Sequence, residues 1–148
     1  MTSALELIGK LHPVVLHVPT VLLLLAGAVE VARWFRESDF TARSSRWLFA
    51  LGAIGAFVSA GTGWLLAAHE HIRSDHQVAL AWHRWLGLAV VAVSGVAWVT
   101  SARMKNSRPA LRAIRLGIAL LVIALVLGTG YFGGEMVWGH DWFSTDAS

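Results

Sequence analysis

Residues 47–68 read WLFALGAIGAFVSAGTGWLLAA, an apolar run without one charged side chain. A helix needs roughly 20 predominantly apolar residues to cross the hydrocarbon core of a bilayer. This run meets that length. Three further segments do so on either side of it: Val14–Ala32, Trp82–Ala102 and Leu116–Gly134. A spanning segment must satisfy its own backbone N–H and C=O groups, which leaves helix as its conformation. The connections, Arg33–Arg46, His69–Ala81 and Arg103–Arg115, are short, and short connections join antiparallel neighbours. The expected fold is therefore all-α: an integral membrane four-helix bundle with up-down-up-down topology, one domain over residues 1–148. No internal repeat is visible in the sequence.

Composition agrees. Of the 148 residues 56% are hydrophobic and 14% charged, where soluble domains carry about 25% charged residues. The mean hydropathy is +0.61. Four spans leave no length for a soluble catalytic domain. There is no cysteine, which removes disulfides, iron–sulfur clusters, zinc–thiolate sites and covalent haem attachment. Any metal or haem must then be held noncovalently, by histidine, carboxylate or methionine. No nucleophile–base set or phosphate loop is present, so a subunit of a larger complex is expected rather than a self-contained enzyme.

Charge orients the bundle. Nine of the twelve basic residues lie in the first and third connections: Arg33, Arg36, Arg43, Arg46, Arg103, Lys105, Arg108, Arg112 and Arg115. By the positive-inside rule these face the cytoplasm. Both termini and the His69–Ala81 connection are then periplasmic, in a bacterial inner membrane. The same placement, flanking apolar runs, argues against nucleic acid as a partner. Leu22–Leu25 followed by Ala26-Gly27-Ala28 imitates a signal-peptide cleavage site. Glu6 beside Lys10, and the continuation of the apolar run, favour a retained span instead.

All seven histidines, at 12, 17, 69, 71, 76, 83 and 140, fall in the outer half. A ligand site is expected there. His17 and His83 are the two embedded in apolar sequence, and a polar ring at such depth is expected to face the interior with a partner. The face of His83 continues through Gly87, Val90, Val91 and Ser94, small enough to admit a flat macrocycle. An interhelical hydrogen bond with close packing at Gly87 is the plainer alternative. His12 and His17 stand about 140° apart around a helix, so they serve separate roles. His69-x-His71-x4-His76, with Glu70 and Asp75, reads as a solvated loop rather than a zinc or copper site. The glycines from Gly128 to Gly134 are expected to break the last helix, placing Glu135, Trp138 and His140 over the bundle mouth. The tryptophans at 47, 82, 85, 138 and 142 suit an interfacial belt.

The segment His12-Pro13-Val14-Val15-Leu16-His17-Val18-Pro19 resembles the HPxxxHFP signature of a bacterial family of small four-helix membrane proteins of unknown function. Gly63-Trp64-Leu65-Leu66-Ala67, His83-Arg84-Trp85-Leu86-Gly87 and the closing Gly130–His140 stretch extend the resemblance over nearly the whole chain. That family's domain occurs fused to, or beside, periplasmic c-type cytochromes. The resemblance implies a b-type haem domain working in an electron-transfer chain, with the family's histidines falling on His12, His17, His83 and His140. Val18 replaces the usual Phe, and Asp141 the Gly after the last His.

The resulting expectation is a haem b electron-transfer subunit linking a quinone pool or membrane partner to periplasmic cytochromes. His17 and His83 are the expected axial ligands of one low-spin haem, with Gly87 relieving contact and Arg84 or His12 meeting a propionate. His12 and His140, with Glu135, form a polar cap or an alternative ligand pair. Two other functions compete: a non-redox subunit whose histidines bind a metal or respond to pH, and a structural anchoring bundle.

Overall fold

A computed structural model of the chain describes residues 3–70, 74–103 and 108–139. Its regular structure is entirely helical. Helices α1 (Ala4–Lys10), α2 (His12–Val15) and α3 (His17–Phe35) follow one another as an interrupted first span. Then come α4 (Asp39–His69), a single 3-10 turn at Ser74–His76, α5 (Gln77–Arg103) and α6 (Pro109–Trp138). Among the described residues, four helical stretches are long and apolar enough to cross a membrane.

The first span is interrupted where its prolines fall. A proline has no backbone N–H to continue the hydrogen-bond ladder, and its ring clashes with the preceding turn. Pro13 sits in the first turn of α2 and Pro19 in that of α3, and the joints are Leu11 and Leu16. Elsewhere the helices outrun the apolar cores that reveal them. α4 starts at Asp39, because Ser38 and Thr41 form a reciprocal capping box that nucleates a helix in polar sequence. The first connection is thus residues 36–38, and Arg43 and Arg46 are helical. The glycine-rich end of α6 does not break: the helix runs through Gly128–Gly134 to Trp138. It stops at Gly139, whose φ of +92° suits glycine. Helical glycine costs about 1 kcal/mol relative to alanine, less than unpaired backbone groups would cost in lipid.

The core is built from small and aliphatic residues of all four spans and one aromatic ring: Leu23 and Ala26, Phe49 and Ala56, Val90 and Ala97, and Ala119, Val122 and Val126. Val21, Leu25, Ile54, Phe57, Leu121 and Leu127 point outward and are exposed, as expected of side chains facing lipid. Close approach relies on glycine. Gly9 of α1 lies so near the backbone of Leu65 and Leu66 that a Cβ would stand 2.7 Å from the Leu66 nitrogen. That contact fastens α1 to the end of α4. Pro19 packs likewise on Gly55, holding the start of α3 against the same helix.

Candidate functional site

The bundle has a histidine end and an arginine end. At the histidine end, His12 opens α2 and His83 lies in the second turn of α5; both are half-buried. Their ring centres are 6.2 Å apart, with planes at 87°. His12 Nδ1 lies 3.0 Å from the Ser59 carbonyl and 3.2 Å from Thr62 Oγ1. His83 Nδ1 lies 2.9 Å from the Thr129 carbonyl. A carbonyl can only accept, so each Nδ1 carries the proton. Each Nε2 is left with its lone pair.

The structure brings His12, rather than His17, to His83. His17 is exposed and makes no hydrogen bond or ring contact with the described residues. The reason is geometric. Pro19 is buried against Gly55 of α4, and a residue two positions earlier points about 200° around the helix. His17 therefore faces away from the bundle. His140 and His71 lie outside the described residues, as does the proposed meeting of His12 with His140. His69 is exposed and donates from Nδ1 to Leu65 in its own helix. Among the described residues, no group of three or more His, Asp or Glu is placed to hold a metal ion.

Two neighbours complete the histidine end. The Arg84 guanidinium stands 5.0 Å from the centre of the Trp64 ring, a cation–π contact between α5 and α4. Its Nε is shielded from solvent yet has no hydrogen-bond partner among the described residues. Gly87, one turn along from His83, has nothing within 4 Å of where a Cβ would project. Trp82 stacks on Phe132 at 6.0 Å, tying α5 to α6 beside the pair.

The arginine end holds a cluster that hydropathy did not reveal. Glu30 is 3% exposed, Arg33 2% and Arg115 4%. Glu30 Oε1 accepts from Arg33 and from the Ser45 hydroxyl. Its Oε2 accepts from Arg115 Nε at 3.4 Å. Arg33 also donates to Glu37 at 2.9 Å, and Arg115 reaches Glu37 at 3.8 Å. Two carboxylates and two guanidiniums thus close a ring between α3, the connection after it and α6, and the Ser45 hydroxyl ties α4 to it. Beside it, Arg112 donates to the Trp34 carbonyl and lies over the Trp34 indole. Glu30 within an otherwise apolar segment was the available signal, since an ionisable group in a span requires a partner.

Residues 10–145 match the family described as a predicted membrane protein, DUF2231. The chain belongs to this family. With four candidate spans, it is a multi-pass membrane protein. No curated protein and no solved structure matches it. Membership in DUF2231 accords with the resemblance seen in the sequence and assigns no activity.

Proposed function

We propose that this chain is a membrane electron-transfer subunit in which His12 and His83 would hold one haem b noncovalently. The supporting observation is the pair itself: two imidazoles 6.2 Å apart, each anchored through Nδ1 with Nε2 left over. Metal-ligating histidines characteristically donate their other N–H to a carbonyl or carboxylate. Imidazole nitrogens ligate metal ions at about 2 Å, a reach that would let two rings at this separation share one ion. A site offering two imidazoles suits a metal whose remaining positions are filled by a macrocycle. Haem supplies one-electron redox chemistry when bound.

The neighbouring residues fit such a ligand. The partnerless Nε of Arg84 offers a cation to an acidic group such as a propionate. Gly87 leaves the backbone of α5 bare beside His83. The arginine-rich connections favour a cytoplasmic arginine end, which puts the pair near the periplasmic face of the inner membrane. On that side a c-type cytochrome or another redox subunit would dock, and a quinone would reach the pair from the adjoining lipid.

The test is the visible spectrum of the protein purified in detergent, as isolated and after haemin addition. Sharp reduced α and β bands are expected. Replacing His12 or His83 by alanine should convert the signal to high spin or remove it, while His17→Ala should leave it intact. A colourless protein that takes up no haemin would refute the reading. Loss of the spectrum in His17→Ala and His83→Ala, with His12→Ala unaffected, would return the iron to the pairing expected from the sequence.

A further inference from the structure

One device seats both histidines. His12 lies over Gly63 of α4: a Cβ there would stand 2.8 Å from Cε1, 3.1 Å from Nδ1 and 3.2 Å from Nε2 of the ring. His83 lies over Gly133 of α6, where a Cβ would stand 3.1 Å from both Cε1 and Nδ1. Neither glycine has a positive φ, so neither is needed for the backbone. Close neighbours on the same helices behave differently: Gly61 and Gly134 have nothing within 4 Å of a Cβ position. Each docked glycine also lies four residues after the carbonyl that receives the imidazole, Ser59 before Gly63 and Thr129 before Gly133.

That spacing has a physical meaning. In a helix the carbonyl of residue i accepts from the N–H of residue i+4, leaving one lone pair unused. The side chain at i+4 leans back towards the N-terminus, over the turn that holds the carbonyl. With glycine at that position the oxygen is open to a ring from another helix, which at Ser59 shares the second lone pair with the Thr62 hydroxyl. At the first site Thr62 adds to the effect. Its hydroxyl donates to Ser59 at 2.9 Å, so its oxygen can only accept from His12.

We infer that Gly63 and Gly133, with the carbonyls of Ser59 and Thr129, are positioning residues that hold His12 and His83 as the Nδ1–H tautomer. They present two equivalent Nε2 lone pairs to one shared ligand. A ligand met in this way is an electron-pair acceptor, a metal centre rather than an anion. The inference rests on the reading of His12 and His83 as a donor pair, but the tautomers belong to the chain alone and are measured without any ligand.

The experiment is nitrogen-15 NMR of histidine-labelled, ligand-free protein in detergent at mildly alkaline pH, with signals assigned by single histidine substitutions. His12 and His83 are expected as Nδ1–H tautomers, whereas exposed His17 should show the Nε2–H preference of free imidazole. Gly63→Ala should push the His12 ring aside and release it to that preference, leaving His83 unchanged. Gly133→Ala should do the converse. Gly61→Ala and Gly134→Ala should alter neither ring, which separates loss of positioning from general damage to α4 or α6. Haemin affinity gives a second readout, expected to fall by about 10- to 100-fold in Gly63→Ala and Gly133→Ala only. If Gly63→Ala does not fold, Thr62→Val should shift the His12 signal and Thr62→Ser should restore it. Nε2–H tautomers at His12 or His83, or a His12 signal indifferent to both Gly63→Ala and Thr62→Val, would overturn the inference. Correct tautomers in a wild-type protein that binds no haemin would sustain it and refute the haem reading instead.

Discussion

Glu30 shows how much a single position carries when its surroundings are apolar. Its carboxylate receives Arg33, Ser45 and Arg115 from three helices. Removing one partner of a buried ion pair costs about 3–5 kcal/mol, because the survivors stay buried without compensation. Glu30→Ala should therefore lower the thermal unfolding midpoint in detergent far more than Glu6→Ala, whose exposed pairing with Lys10 contributes little. Equal losses from the two substitutions would remove the ring from the account of stability. From the sequence, Arg33 and Arg115 read as members of solvated connections, since a charge count takes no notice of how far a helix continues. The histidines were partly legible. The one-sided distribution put the histidines at one end of the bundle, where the structure brings His12 and His83 together, but His17 was preferred over His12 because it lay deeper in apolar sequence. Depth says nothing about azimuth, and the burial of Pro19 sets the azimuth.

At the scale of elements, the four spans were legible because lipid makes their length and apolarity obligatory. Their ends were not. Capping at Ser38 and the unbroken passage through Gly128–Gly134 depend on local hydrogen bonds that hydropathy does not register. The least legible piece is α1, a short helix of mixed polarity that packs on α4, with Gly9 against the backbone of Leu65 and Leu66. Backbone cannot yield as a flexible side chain can. Gly9→Ala should lift α1 from α4 at the roughly 1–3 kcal/mol typical of overpacking, and α2 with His12 follows directly. The expected result is a bundle of normal helix content whose haemin affinity falls, read by circular dichroism beside the visible spectrum. Unchanged affinity would mean that α2 is held without help from α1.

For the whole molecule, the two polar centres lie at opposite ends with an apolar middle of Leu23, Phe49, Val90 and Val122 between them. From His12 to Glu30 is 18 residues, about 27 Å of helix rise, close to the roughly 30 Å of a hydrocarbon core. The orientation inferred from charge puts the arginine end in the cytoplasm. Reporter fusions after Lys105 and after Ser148 should accordingly report opposite compartments, and agreement between them would remove the four-span topology. Two equivalent imidazole seats were invisible as a sequence repeat, because the likeness lies in a serine or threonine four residues before a glycine and in little else. The ring at the arginine end also bears on how the protein is made. Arg115 lies 85 residues after Glu30, a delay on the order of ten seconds at ribosomal speed. Throughout that interval Glu30 and Glu37 have Arg33 alone between them among the ring's cations. The last helix therefore brings the missing charge as well as apolar surface, and a nascent chain halted before it leaves two carboxylates to share one guanidinium.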